Sequence, residues 1–223
     1  MLTAYLAEKE RREKNQIARY FPDTGPFRRQ LYKPHMEFFA AGAKYRTRIF
    51  LAGNRTGKTI AGAYETTLHL TGTYPDWWEG KRFSRAIKAV AASDTGKTTR
   101  EVVQHELLGP PGRFGTGMIP FGALEKSTMR SGVTDAVDTC YVRHAAGGFS
   151  TLYFKSYEMK RESFQGLSLE WCWADEELPE SIFDEILTRT ATTSGSVVLT
   201  FTPMQGLTPL ITRFLPGGIS TAE

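Results

Sequence analysis

Thr47-Arg-Ile-Phe-Leu-Ala-Gly-Asn-Arg-Thr-Gly-Lys-Thr59 is a short apolar run that breaks into a loop of small residues and ends in Gly57-Lys58-Thr59. A strand, a tight turn and a helix start are the parts of a phosphate-binding loop. In such a loop the backbone N–H groups of Gly53, Asn54, Arg55, Thr56 and Gly57 wrap phosphate oxygens. Lys58 would reach the β- and γ-phosphates, and the Thr59 hydroxyl would hold Mg²⁺. The helix that begins near Lys58 adds its positive dipole end. The pattern G-x-x-x-x-G-K-[ST] asks for glycine where this chain has Ala52, so the match is near rather than full.

A second near-match, Ala91-Ala-Ser-Asp-Thr-Gly-Lys-Thr98, also follows an apolar run. Charge separates the two. The second loop would aim the Asp94 carboxylate at a phosphate, a repulsion that a confined site amplifies. The first presents Gly53, Asn54 and Arg55, which are permissive, polar and cationic. The nucleotide is therefore assigned to Lys58, and Lys97 is read as a surface lysine near a helix start.

Farther along, Leu169-Glu-Trp-Cys-Trp-Ala-Asp-Glu-Glu177 is an apolar run that ends in acids, as a buried strand does when its C-terminal end opens on a site. Asp175 is the candidate Mg²⁺ acid and Glu176 the candidate that orients or deprotonates an attacking water. Glu177 is a spare for either role. Lys58 and this pair supply what each other lacks. A third element, Gly195-Ser-Val-Val-Leu-Thr-Phe-Thr-Pro-Met-Gln-Gly206, is a strand with Thr200, Thr202 and Gln205 at its exit. These groups either sense a γ-phosphate or simply lie where Thr-Pro ends the strand.

Together these segments resemble the phage large terminases, the ATP-driven motors that pump viral DNA into preformed capsids. The resemblance rests on Leu51–Thr59, Arg161-Glu-Ser-Phe-Gln-Gly166, Trp173–Glu177, Thr200–Gly206 and the upstream Leu31-Tyr-Lys-Pro-His-Met-Glu-Phe-Phe39, in that family's order over about residues 25–215. It implies an ATP- and Mg²⁺-dependent P-loop ATPase of the ASCE type, with Lys58 and Thr59 on phosphate and metal, Asp175 on the metal and Glu176 catalytic. It also implies that Thr200 to Thr202 couple hydrolysis to DNA movement and that Tyr32, Pro34 and Met36 border the base. Two departures stand out. Met36 occupies a place where the family often has an adenine-reading Gln, and Gln165 occupies one where some relatives carry an arginine finger. Arg55 in cis and Arg161 in trans are the remaining finger candidates, and each is equally compatible with a surface or salt-bridging role. The implied partners are double-stranded DNA, a homo-oligomeric ring (a pentamer by resemblance), a portal protein and a small terminase subunit, in the host cytoplasm. The family's usual nuclease domain, with its RNase-H-like acidic cluster, has no counterpart in the sequence. The expectation is an isolated or split motor domain with ATPase activity and no DNA cleavage. A superfamily 2 helicase-like translocase and a non-catalytic nucleotide-binding docking module are the rival readings. The first needs a second motor-like domain; Lys58, Thr59, Asp175 and Glu176 argue against the second.

The chain has 223 residues, 40% hydrophobic and 23% charged, within the range of globular proteins. No apolar run approaches a membrane span, the N-terminus lacks a signal-peptide core, and two cysteines, Cys140 and Cys172, fit a reduced compartment. No Cys/His cluster has zinc-site spacing, and the four histidines are scattered. The net charge of +4 is concentrated at the front: residues 1–35 hold eight Lys/Arg against four Asp/Glu. Glu8 to Arg19 reads as a solvated helix, or as a contact for DNA phosphates or a neighbouring subunit. The expected organisation is a basic helical appendage over 1–24, an ATPase domain over 25–215 and a tail over 216–223.

The alternation of strands and helices predicts a mostly parallel sheet with helices on both faces. Expected strands fall at 47–52, 86–92, 139–145, 150–156, 169–174 and 196–201, and helices near 3–19, 34–42, 58–71, 97–108, 179–190 and 208–214. Ala146-Gly-Gly148 signals a hairpin, residues 109–120 an irregular loop, and Tyr74-Pro-Asp-Trp-Trp78 an aromatic turn read as a lid over a neighbour.

Overall fold

The computed structural model describes residues 1–215; the expected tail over 216–223 lies outside the described residues. In chain order the elements are α1 (Leu2–Glu13), α2 (Lys33–Ala41), β1 (Thr47–Leu51), α3 (Lys58–Thr71), β2 (Lys88–Ser93), and a helical stretch made of α4 (Gly96–Thr98), a π-helical segment (Thr99–Gln104) and α5 (His105–Leu108). Then come β3 (Leu124–Met129), β4 (Val137–Arg143), β5 (Phe149–Ser156), β6 (Trp171–Asp175), α6 (Glu180–Ala191), β7 (Ser196–Phe201) and α7 (Pro209–Thr212).

One seven-stranded sheet runs β1-β7-β6-β2-β5-β4-β3. Its first five strands are mutually parallel, and β5-β4-β3 continue it antiparallel through the hairpin at residues 146–148. This is an α/β sheet, as expected, with one strand, β7, standing between β1, which leads into the Gly53–Thr59 loop, and the acid-bearing strand β6. β6 and β7 are buried along their whole length, as strands covered on both faces must be. Alternate residues feed two cores. Trp171, Trp173 and Val198 join Phe39, Tyr64 and Leu68 on the α3 side, while Cys172, Ala174, Val197 and Leu199 join Ile182, Phe183 and Ile186 on the α6 side.

Two contacts set how closely α3 lies on the sheet. Gly62, in the middle of the helix, has no side chain because an added Cβ would stand 2.1 Å from the Trp173 indole nitrogen. The second contact is a buried ion pair. The Arg48 guanidinium on β1 meets the Glu65 carboxylate on α3 at 2.7 Å, and it also donates to the Phe38 carbonyl on α2 at 2.6 Å. Glu65 is fully buried and also lies 3.3 Å from His69 Nε2. Burial alone would push the Glu65 carboxyl up, but Arg48 and His69 outweigh it and hold it below the usual range. Burial keeps His69 neutral despite Glu65.

Four details differ from the sequence expectation. The first helix ends at Glu13 and a 3₁₀ turn covers Gln16–Arg19, because the chain turns there to pack against the body through Gln16 and Lys14. The stretch 97–108 is helical but widens into a π segment, with Thr99 held by the carbonyls of Thr95 and Lys155. β3 went unseen because its residues, Leu-Glu-Lys-Ser-Thr-Met, are half-exposed and lack an apolar period. The aromatic turn is not a free lid. Trp78 is buried with Phe39, and Trp77 stacks on Tyr64.

Glu65→Leu leaves the Arg48 charge buried without its partner and is expected to cost about 3–5 kcal/mol in urea unfolding. Adding Arg48→Met should recover more than half of that loss, since an apolar pair of similar volume needs no compensation.

Candidate active site

Three strand exits meet at one end of the sheet. β1 pairs with β7 and β7 with β6 in a register that sets Leu51 beside Phe201 and Asp175 beside Thr200. The loops that follow line an open cleft of about 360 Å³ formed by Asn54, Arg55, Thr56, Gly57, Lys58, Thr59, Ile60, Asp175, Glu176, Thr200 and Thr202. A larger depression of about 600 Å³ lies along α1 and the turn after it, lined only by residues between Tyr5 and Arg19, whose Arg11 and Arg12 are taken up by Glu8.

The loop after β1 is shaped by its own hydrogen bonds. Thr56 donates to the Gly53 carbonyl at 2.8 Å, and the Lys58 ammonium reaches back to the same oxygen at 2.6 Å. Arg55 (φ 61°) and Gly57 (φ 85°) take the left-handed conformation, which costs nothing at glycine and energy at arginine. Ala52 is not among the left-handed residues. That explains why alanine suffices where the general pattern has glycine: the bend is made three residues later. The Thr202 hydroxyl, at the exit of β7, lies 3.0 Å from the Ala52 carbonyl and 2.9 Å from Asn54 Oδ1, so it ties the loop to the sheet.

The sequence reading missed the prop beneath this loop. His35 is buried, its Nε2 stands 3.3 Å from the Gly57 carbonyl, and the rings of Phe21, Tyr32 and Phe50 enclose it. Burial lowers its pKa against the pull of the loop carbonyls, so it is a neutral N–H donor to the loop. Its place within Leu31–Phe39 was the available signal. Of the three residues matched to a base pocket there, Tyr32 and Met36 are half-buried against the core and Pro34 is exposed at the start of α2. None of the three lines the cleft.

On the acid side, Asp175 ends β6 with 2% exposure. The Thr200 hydroxyl donates to its Oδ1 at 2.6 Å, and the Thr59 hydroxyl lies 3.3 Å from both carboxylate oxygens. Burial pushes the Asp175 carboxyl up to about 7, although the Thr200 and Thr59 hydroxyls and Lys58 oppose the rise. Glu176 follows in the left-handed region (φ 68°) and is exposed to the cleft. Its N–H is held by the Thr200 carbonyl at 3.0 Å. Its pKa is raised by partial burial and by Asp94, with Lys58 opposing. Tyr157, also missed in the sequence, points its hydroxyl at the carbonyls of Asp175 and Glu176, 2.8 and 3.1 Å away. Glu177 accepts from Thr208 and does not line the cleft. Arg161 is paired with the buried carboxylate of Glu185 at 2.6 Å, outside the cleft of its own chain.

The donor set fits Mg²⁺. One hydroxyl equidistant from two carboxylate oxygens is the kind of partial shell that this ion completes with phosphate and water, rather than with a protein cage. Among the described residues no group of three or more His, Cys, Asp or Glu side chains forms such a cage. The second Gly-Lys-Thr is closed to phosphate by its own residues. Thr95 caps the Thr98 N–H, and the Glu158 carboxylate takes the Gly96 N–H at 2.9 Å.

Because the native state holds a proton on Asp175 that the unfolded chain releases near pH 3.8, stability contributed by that proton declines as pH rises from about 4 to about 7. In metal-free buffer Asp175→Asn, whose amide oxygen still accepts from Thr200, should therefore be more stable than the parent above pH 7, by up to about 4 kcal/mol. The difference should vanish near pH 4. Urea titrations across that range measure it.

None of the described helices is long and apolar enough to cross a membrane. Residues 49–219 match the family model described as terminase large subunit, T4likevirus-type, N-terminal. The chain is 34% identical over 204 residues to the large terminase subunit of Salmonella phage P22, an alignment covering 82% of this chain and 41% of that protein. It thus spans about two fifths of the length of that curated relative. Two crystal structures of the large terminase from a thermophilic bacteriophage, one in complex with ADP, resemble it at 14% identity with a TM-score of 0.48; they cover 85% and 75% of this chain and 38% of theirs. With the matched segment taking in the phosphate loop, the acid pair and the β7 exit, the chain belongs to the large terminase family, as a counterpart of its N-terminal region.

Proposed function

We propose that this chain is the ATP-hydrolysing motor domain of a viral large terminase and drives double-stranded DNA into a procapsid. The observation that supports it best is the convergence of Lys58, Thr59, Asp175, Glu176, Thr200 and Thr202, from three separate strand exits, on one cleft of a chain in this family.

In this reading the backbone of Gly53 to Gly57 and the α3 N-terminus cradle the phosphates. Lys58 leaves the Gly53 carbonyl for the β- and γ-oxygens. Thr59 and Asp175 hold Mg²⁺, whose charge, when bound, screens the phosphate oxygens. Glu176, beside that acid and open to solvent, orients the attacking water and accepts its proton. Catalysis is then positioning and charge stabilisation. Tyr32, Pro34 and Met36, the candidates for bordering the base, lie outside the cleft lined by the phosphate-side residues. The motor unit is residues 25–215 and the basic appendage residues 1–24. The working assembly is a homo-oligomeric ring in the host cytoplasm that engages DNA, a portal and a small terminase subunit.

Two substitutions test the reading. Lys58→Ala should abolish Mg²⁺–ATP binding or turnover. Glu176→Gln should bind ATP as the parent does and lose turnover by a factor of 10² or more, roughly the contribution of a positioned base. Hydrolysis at the parental rate by Glu176→Gln would remove Glu176 from the catalytic role.

The arginine finger divides along geometry. Arg55 lines the cleft in cis, whereas Arg161 is paired with Glu185 outside the cleft of its own chain and would have to leave that partner to serve a neighbour's. A finger contributes about 10³–10⁵ in rate. Turnover per chain measured against protein concentration, with double-stranded DNA present, separates them. A rise that Arg161→Ala abolishes assigns the finger in trans. A flat profile that Arg55→Ala abolishes assigns it in cis.

A further inference from the structure

Trp173 has no place in the proposed mechanism, yet it is fully buried on β6 two residues before the cleft-lining Asp175 and is bonded to a group inside the cleft. Its indole nitrogen lies 2.8 Å from Thr200 Oγ1, and that same oxygen lies 2.6 Å from Asp175 Oδ1. With Asp175 ionised, as a metal-holding carboxylate must be, the chemistry of the three groups allows one arrangement. An indole N–H only donates, and a hydroxyl carries a single proton. With Trp173 donating into Thr200, the Thr200 proton is left for Asp175, at a distance typical of a hydroxyl on a carboxylate. The indole cannot swing away, because α3 lies against it at Gly62, where even a methyl group would collide with its nitrogen.

We infer that Trp173 is a positioning residue for the metal-binding carboxylate: through the Thr200 hydroxyl it locks Asp175 in the rotamer that faces Thr59. The inference rests on the proposed Mg²⁺–nucleotide site and adds a division of labour within the β7 exit. Thr200 has its proton committed to Asp175 and one lone pair to Trp173, so it serves the metal acid. Thr202, whose single proton goes to either the Ala52 carbonyl or the Asn54 amide oxygen, serves the phosphate loop. The group free to answer a γ-phosphate is therefore Thr202, which must release the loop to do so.

The fold contains its own control. Trp171, two residues earlier on the same strand and face, is equally buried and donates to another threonine hydroxyl, Thr66, at 2.9 Å. Thr66 lies outside the cleft. Trp171→Phe and Trp173→Phe thus remove the same type of bond from the same core.

The readout is the rise in melting temperature of the full chain caused by ADP, followed as a function of Mg²⁺. Trp173→Phe should need about 10-fold more Mg²⁺ for the half-maximal shift, in line with losses at other outer-sphere ligand supports; Trp171→Phe should need the parental amount. Thr200→Val should shift the Mg²⁺ requirement at least as far, and Trp173→Phe added to it should shift it no further, since the indole acts through that hydroxyl. Equal Mg²⁺ requirements for the two tryptophan variants, or additive effects of Trp173→Phe and Thr200→Val, would overturn the relay. A parent protein that ADP never stabilises at any Mg²⁺ concentration would instead overturn the nucleotide site. Should Trp173→Phe fail to fold, ¹⁵N-indole spectra of the four tryptophans decide the same question. The signal displaced by Thr200→Val should be the one that moves with Mg²⁺–ADP. A signal that ignores Mg²⁺–ADP refutes the role.

Discussion

A carboxylate at the end of a central strand, almost out of reach of water, is the constraint around which the cleft is arranged. Asp175 must be hydrogen-bonded or protonated where it stands. The fold answers with hydroxyls from two other elements, Thr200 on β7 and Thr59 on α3, while Tyr157 steadies its backbone carbonyl. That answer requires β7 to lie between β1 and β6, so that Thr200 and Asp175 are register partners. It also requires α3 to approach the sheet closely enough for Thr59 to reach across. Gly62 against Trp173 and Glu65 against Arg48 set that approach. The order of strands, the glycine in mid-helix and the buried ion pair are thus conditions for a single polar cluster.

The sequence made the central part of this arrangement legible because its signals are local. A strand that ends in small residues and Gly-Lys-Thr, and another that ends in Asp-Glu, mark their own exits, and β6 and β7 announce burial by largely apolar runs without a polar alternation. What was not legible depends on contacts between distant segments. β3 carries no apolar period because it lies at the sheet edge, half in solvent. His35 and Tyr157 are ordinary residues in sequence; only the fold puts one under Gly57 and the other against the carbonyls of the acid pair. The aromatic turn at 74–78 looked free because nothing local says that Trp78 finds Phe39. The Ala52 departure resolved in the same way, since the left-handed bend that glycine normally serves falls on Arg55 and Gly57.

Strain is distributed unevenly over the cleft. Two of its non-glycine residues, Arg55 and Glu176, sit in the left-handed region, each a conformation that persists only when its surroundings over-determine it. For Glu176 the surroundings are visible: the Thr200 carbonyl holds its N–H and the Tyr157 hydroxyl its carbonyl. For Arg55 they are slight. Its neighbours Thr56 and Lys58 bond only to Gly53 within the loop, and Thr202 is the tie to the sheet.

The cleft therefore has a fixed side and a yielding side. On the fixed side, Asp175 and Glu176 are held by β7, Tyr157 and, through Thr200, by a buried indole. On the yielding side, the loop rests on the Thr56 and Lys58 bonds to its own Gly53 carbonyl, on Thr202 and on His35 beneath Gly57. In the proposed reading Lys58 and Thr202 would exchange their bonds for phosphate oxygens. A nucleotide that takes Lys58 from the Gly53 carbonyl competes with the loop's internal bonds and leaves the acid pair where it is. Any conformational signal that starts at the phosphates then has its first mobile element in residues 53–57. Its nearest routes outward are Thr202 toward the β7–α7 connection and His35 toward α2 and the N-terminal segment. A shift of this small loop can be passed to both routes because the acid side does not absorb it.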